Sequence, residues 1–437
     1  MTRSEILEAI HAVLRDHMQH SHLEAFAPEA RLNEDLYLDS VLMLHLFLNL
    51  EMEFGLPAPD EVIAGEGFST VADLVELLAA DGECSDASAA VASQPSEGVH
   101  GEDYIDIKVH CFVSCVCAAL KQSPGIDHRP FYFGVWDADF AISDRWGLLY
   151  HAPSISHDFF RDWYRRLYGV EVVEWYDPGR SKQDNLLVLL HLLERRRSTE
   201  YVMVMLDMYH LPERENKFNQ NPFPHYLMLE TTDDPAIWRV LDPDFRWEGQ
   251  IEKDRVVNAI LQPTVGGGYV FDRAQIREPR DADLKAYFEA CFRPDRNALI
   301  EGTRLIIRAH AAGQDGTTLG ELATALRELP VISIRKYAYE HGFAFFWRAL
   351  KLPDSEFQIW CDEIDDLAQS FKTLHYAVLK LSQTQNRDLL RDVETSLDRL
   401  DALEHRIKRR LSAVFDLWCA QRSLTDFPRS ERMRAMA

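Results

Sequence analysis

The sequence has no apolar run approaching the ~18–20 residues that a membrane span requires. Its start, MTRSEILEAI, carries acidic residues where a signal peptide would have an apolar core. Both absences predict a cytoplasmic protein with no membrane partner. Cysteine is sparse. There are seven, odd in number and unevenly spaced, which fits reduced thiols better than a disulfide framework. Basic residues are nearly missing from one end: residues 1–100 hold nineteen Asp/Glu against three Lys/Arg, two thirds of the formal net charge of −24. Such a field repels nucleic-acid phosphate and favours cationic partners, so no nucleic-acid binding is expected. A phosphate-binding loop is absent too. TVGGGYVF (264–271) has neither Lys-Ser/Thr nor a following helix, and reads as a turn at a strand edge.

What is present divides into segments. At 437 residues the chain is long for one core and predicts two or three domains. Residues 81–102, DGECSDASAAVASQPSEGVHGE, are small, polar and aperiodic, and read as a flexible linker. The unit before it, 1–80, reads as helical. SEILEAIHAVLRDHM has Ile6, Ile10, Val13 and Leu14 on one face with Ser4 as a candidate cap. After a loop, SVLMLHLFLNLEMEFG forms a second helix closed by Gly55, and STVADLVELLAA a third capped by Ser69 or Thr70.

Residues 103–280 mix patterns and predict an α+β domain. CFVSCVCAALKQ and NLLVLLHLLERRRS read as helices, while EYVMVMLDMY, HYLMLETT and WRVLDPDF read as strands bounded by turn residues. From 281 to 437 the pattern is all-helical. TTLGELATALREL is one expected helix, and Val393, Leu397, Leu400, Leu403 and Ile407 mark the packed stripe of the last.

Two places carry chemistry. In LYLDSVLMLHL, Asp39-Ser40 opens the second helix, an ordinary capping position. The second is VHCFVSCVCAAL (109–120). Cys115 and Cys117 lie inside the helix and serve as small core residues, and the run lacks the Cys spacing of a zinc site, so no metal is expected. Cys111 opens the helix, where backbone N–H groups and the helix field favour a thiolate and an oxyanion. A nucleophilic Cys needs a base and a group to orient it. His225 begins one strand and Asp242 ends another, and a hairpin of adjacent strands would bring them together. His110 is the next candidate base.

The small acidic helical unit with LDS opening helix two and EFG closing it resembles an acyl carrier protein. This resemblance implies a 4′-phosphopantetheine arm on Ser40, added by a phosphopantetheinyl transferase. One departure stands out: Leu42, Met43, His45 and Phe47 leave helix two largely apolar where carriers show acidic residues, which predicts hydrophobic contacts, including with the rest of the chain. The order Cys, His, Asp is that of papain-like cysteine enzymes. VHCFVSCVCAAL, VMVMLDMYHLPE, PHYLMLE and RVLDPDF further resemble the BtrH family of acyltransferases. The resemblance implies Cys111 as nucleophile, His225 as base, Asp242 as its orienter, and Asp207 and Tyr209 in the pocket wall. The Gln that papain-like enzymes often place before the Cys is missing from YIDIKV.

Carrier and transferase together look like an AsbD–AsbE type of petrobactin siderophore biosynthesis protein. That architecture implies an adenylating ligase to load the carrier, an aryl group such as 3,4-dihydroxybenzoyl, and an amine or polyamine acceptor such as spermidine. The alternatives are a papain-like cysteine peptidase or amidohydrolase and a non-catalytic carrier-docking protein.

Overall fold

The computed structural model describes residues 1–20, 22–33, 35–38, 40–59, 62–63, 68–80, 109–214 and 220–424. Asp39, the expected linker 81–102, residues 103–108 and the tail 425–437 lie outside the described residues. The protein is a multidomain α+β molecule with a central antiparallel sheet and a helical C-terminal region. No helix of the described residues is long and apolar enough to cross a membrane.

The N-terminal unit contains α1 (Arg3–Ala12), α2 (Ser40–Phe54) and α3 (Val71–Ala80). Thr2, two residues before the expected Ser4, caps α1: its hydroxyl accepts the Glu5 N–H while the Glu5 carboxylate accepts the Thr2 N–H. Thr70 does the same for α3 by accepting the Asp73 N–H, and Asp73 takes the N–H groups of Ser69 and Thr70. Ile6, Ile10, Val13, Leu14, Leu44, Phe47 and Leu74 form one buried cluster.

The central unit opens with α4 (Cys111–Lys121), followed by a hairpin of β1 (Ala141–Ile142) and β2 (Leu148–Leu149). Next come α5 (Asp158–Tyr168), β3 (Val173–Glu174), α6 (Lys182–Arg195) and β4 (Glu200–Asp207). After these are β5 (Pro224–Thr231), β6 (Ile237–Asp242), β7 (Trp247–Glu252), α7 (Lys253–Ile260) and β8 (Gly268–Asp272). The sheet runs β3-β8-β4-β5-β6-β7, antiparallel throughout. Its strands alternate between two cores. Met203, Met205, Tyr226 and Met228 pack with α4, whereas Val202, Val204, Leu227 and Leu229 pack with Leu189 and Leu193 of α6 and Val256 of α7.

The C-terminal region holds α8 (Asp281–Cys291), α9 (Ala298–Ala312), α10 (Ala338–Leu350), α11 (Asp354–Thr384) and α12 (Leu389–Gln421). The helix expected at TTLGELATALREL is broken into a short 3₁₀ turn, the four-residue helix Leu322–Ala325 and a turn. Pro330, which has no N–H, then starts a new helix, Leu329–Ser333. The hydrophobic core does not stop at residue 280. Residues of α4, α5 and the Arg129–Gly134 turn share one cluster with α8 to α12.

A buried set of charges crosses that junction. Lys336 Nζ donates to the Trp136 carbonyl (2.8 Å), Asp137 (3.1 Å) and Glu404 (2.7 Å), and Lys408 Nζ reaches Asp137 at 2.8 Å. Tyr339 O–H donates to Glu404 at 2.9 Å. The four charged side chains are 0–4 % exposed.

The apolar outer side of α2 packs on the same chain. Tyr376 and Leu379 of α11 belong to the N-terminal cluster, with Leu42 packed against it. The contact is not purely hydrophobic, because Glu51 accepts from Tyr376 O–H (2.6 Å) and Lys380 Nζ (2.6 Å). His375 of α11 lies close to His45 of α2; burial, and then the His45 charge, hold its pKa down to about 3, and burial lowers that of His45.

Two outcomes are expected. Glu404→Ala strands buried lysine charge and should cost about 3–5 kcal/mol in denaturant unfolding. Both interface histidines are neutral when docked and take up protons more readily when released, so docking is strongest above pH ~6.5. It should weaken as pH falls from there toward about 3. Small-angle scattering across that range should show the N-terminal unit separating, and a His45→Gln/His375→Gln variant should lose most of the dependence.

Candidate active site

Cys111 is the first residue of α4, with His110 as its non-helical cap. The N–H groups in the first turn of any α-helix lack intrahelical acceptors, so this end suits an anion. The start of α4 is tied to the sheet by Asp244, just past the end of β6. One of its carboxylate oxygens accepts Val109 N–H (3.2 Å), His110 N–H (3.1 Å) and Ser114 O–H (2.7 Å). Cys115 and Cys117 are fully buried, and burial raises the pKa of both thiols. Cys111 is partly exposed.

The β5–β6 pairing, with Met228 opposite Leu241, sets His225 at the start of β5 near Asp242 at the end of β6. His225 Nε2 and Asp242 Oδ1 are 2.9 Å apart. Burial opposes a charge on His225. The Asp242 carboxylate and a hydrogen bond with Cys111 outweigh it and hold the imidazole pKa well above its ordinary value. Cys111, His225 and Asp242 are therefore brought together in that order. The second Asp242 oxygen accepts from Arg214 Nη2 at 2.8 Å, and Phe245 N–H reaches Oδ1 at 3.3 Å. Burial would raise the Asp242 pKa, but His225 and Arg214 together lower it. Arg214 itself lies over the Trp247 ring, 4.2 Å from its centroid.

Cys111 and His225 open into a cavity of about 170 Å³. Its walls mix aromatic side chains (Tyr150, Phe160, Phe223 and Tyr226) with His110, His157 and the charged Asp139 and Asp244. Arg335 enters from the turn between the Leu329–Ser333 helix and α10. Asp207 and Tyr209 are not among the lining residues. The Asp207 carboxylate lies behind the wall, accepting Phe223 N–H (2.8 Å), Tyr209 N–H (3.2 Å) and Thr264 O–H (3.1 Å). Tyr209 is 50 % exposed on the turn after β4. His110 lines the cavity, but burial, together with Arg335 and His157, lowers its pKa strongly. That makes it a weaker proton acceptor than His225. Ser40 begins α2.

Sequence reasoning missed Arg214, Asp244 and Arg335. Asp244 had a signal: VLDPDF carries two carboxylates, and a site on a strand end uses both. Arg214 in LPERE and Arg335 in SIRKY sit in unremarkable charged contexts, and only tertiary packing brings them to the site.

Comparison with known proteins adds identity to this geometry. Residues 106–276 match the family described as DUF6005 N-terminal domain, and residues 282–432 the DUF6005 C-terminal domain. Petrobactin synthase of Bacillus anthracis is 42 % identical over 317 residues, covering 72 % of this chain and 97 % of that relative. The acyl carrier protein AsbD of the same organism is 31 % identical over 78 residues, 18 % of this chain and 86 % of AsbD. An acyl carrier protein of Thermosynechococcus vestitus is 38 % identical over 78 residues, 93 % of its length.

Asp244→Ala leaves two N–H groups and the Ser114 hydroxyl without their acceptor and should cost about 1–3 kcal/mol in chemical denaturation. Asp244→Asn, which keeps one acceptor oxygen, should cost less. Equal losses would mean that charge, and not hydrogen bonding, holds the start of α4.

Proposed function

Because this chain belongs to the DUF6005 family of petrobactin synthase and carries an acyl-carrier-like segment as well, we propose that it is a carrier-linked acyltransferase of siderophore biosynthesis. In this reading it moves an aryl group from a thioester on its own carrier to an amine, forming an amide. The observation that carries the proposal is the grouping of a helix-start thiol and an imidazole at one cavity, with a buried carboxylate hydrogen-bonded behind the imidazole. The acyl class follows from size. A cavity of ~150 Å³ holds a benzene ring, and the pocket here, with Tyr150, Phe160, Phe223 and Tyr226 in its wall, is about 170 Å³.

The chemistry assigned to each residue follows from its surroundings. His225 holds the proton of Cys111, leaving a thiolate that attacks the thioester carbonyl. The raised His225 pKa stabilises that imidazolium, and Asp242, fixed by Arg214, orients the ring without taking its proton. His225 then protonates the leaving thiol and later accepts a proton from the attacking amine. A 4′-phosphopantetheine on Ser40, when attached, supplies the flexible thiol that bears the acyl group. An adenylating ligase and a phosphopantetheinyl transferase are its partners in this scheme, in the cytoplasm. 3,4-Dihydroxybenzoyl and a polyamine such as spermidine are the proposed pair, and the acidic balance of the chain suits a cationic acceptor.

The test is intact-mass analysis with coenzyme A, a phosphopantetheinyl transferase, an aryl-acid ligase and spermidine. Wild type should gain one arm, which Ser40→Ala should not. Cys111→Ala should lose amide formation by at least ~10³-fold and His225→Ala nearly as much, while the double variant should be little worse than Cys111→Ala. Full turnover by Cys111→Ala would leave a docking protein as the better reading, and cleavage of peptides without a carrier a peptidase.

A further inference from the structure

We infer that Arg335 is a catalytic residue of this transfer: a guanidinium, supplied by the helical C-terminal region, that holds the negative charge forming on the acyl carbonyl oxygen as Cys111 attacks. The inference rests on the cysteine reading above and adds to it the missing electrophilic partner, since YIDIKV, the stretch just before Cys111, holds no Gln.

Arg335 is 7 % exposed and lines the cavity that holds Cys111 and His225. Its Nη1 donates to the Asp139 carbonyl at 3.1 Å and more loosely to that of Ala138 at 3.5 Å. These neutral acceptors fix the group without neutralising it. Among the described residues it forms no ion pair with a carboxylate at 4.0 Å or less. A buried cation is costly unless an anion meets it. The titratable groups it faces are Cys111, Tyr150, Asp244 and Asp139. Two of these are already engaged, Tyr150 O–H with the Pro224 carbonyl and Asp244 with the start of α4. Asp139, partly exposed at the cavity wall, is too far to pair. The unmet anion is therefore the one that chemistry at Cys111 creates. Next in sequence, Lys336 is pinned in the buried charge cluster, so the turn presenting Arg335 is held in place before substrate arrives, as electrostatic catalysis requires.

The step balances as follows. Cys111 sulfur bonds to the carbonyl carbon, and the C=O π pair moves onto oxygen beside Arg335. That pair returns as the carbon–sulfur bond to the leaving thiol breaks, and the thiol takes the proton held by His225. The amine then adds to the acyl-cysteine and gives a proton to His225. A second oxyanion forms at the same place and collapses with loss of the Cys111 thiolate.

Acylation of Cys111 in the full-length, loaded protein can be timed by mass analysis of the Cys111 peptide, with amide formation followed in parallel. Arg335→Met should slow acylation by ~10²–10³-fold, the loss typical of one oxyanion donor, with KM for the amine within threefold of wild type. Arg335→Lys should recover part of the rate. Melting curves check the fold. If Arg335→Met melts early, Arg335→Gln, which can still donate to the Ala138 and Asp139 carbonyls, takes its place. Acylation within threefold of wild type in a folded variant overturns the inference, as does a raised KM with kcat intact. Full amide formation by Cys111→Ala would bring down the cysteine reading first, and so is distinguishable from a failure of Arg335 alone.

Discussion

Four buried charges hold the molecule's two halves in register. Asp137, Lys336, Glu404 and Lys408 come from the loop after the Arg129–Gly134 turn, the turn before α10, and α12. Placing them together out of water costs several kcal/mol per ion, and only near-complete mutual satisfaction offsets it. The geometry meets that demand at both lysines and leaves one oxygen, Glu404 Oε2, without a hydrogen bond. Lys336 has a carbonyl and two carboxylates, and Lys408 has Asp137 and the Arg293 carbonyl at 3.1 Å. A cluster of this kind tolerates little displacement, so the helical region cannot slide over the sheet unit without exposing an unpaired charge. The cavity, whose wall combines α4, the start of β5 and the turn carrying Arg335, inherits its shape from that constraint.

Within the cavity, the segment VLDPDF does two jobs with two carboxylates. Asp242 ends β6 facing His225 and Arg214, and Asp244 reaches back to the first turn of α4. Thiol and imidazole are therefore referenced to the same three-residue stretch, which removes most of the freedom they would have on separate elements. Pre-positioning of this kind is what lowers the entropic part of a transfer barrier.

Much of this was legible in the sequence. Strands β4, β5 and β6 are short β-branched or apolar runs between turn residues, and their period-2 alternation survives as two separate cores. Cys111 and Ser40 are readable because helix starts have local signatures. What escaped has a physical reason. In AYEHGFAFFWRAL nearly every residue of α10 is buried, so no polar face marks its period, and Gly342 weakens the helical propensity further. The family resemblance implies Asp207 in the pocket wall, yet one of its oxygens takes two backbone N–H groups behind the wall and the other the Thr264 hydroxyl. Arg214 and Arg335 acquire meaning only from neighbours distant in sequence.

The resting place of α2 on α11 bears on how the unit would cycle. A unit covalently joined to its partner meets it at a raised effective concentration. There, a few apolar contacts and the mostly buried Glu51–Lys380 pair, itself worth about 1 kcal/mol or less, are enough to keep the site occupied. A tight interface would be a handicap, since a carrier must also leave to be charged elsewhere. The modest polarity of this contact, with two uncharged imidazoles inside it, is the composition expected of a berth that is revisited and not of a permanent seam.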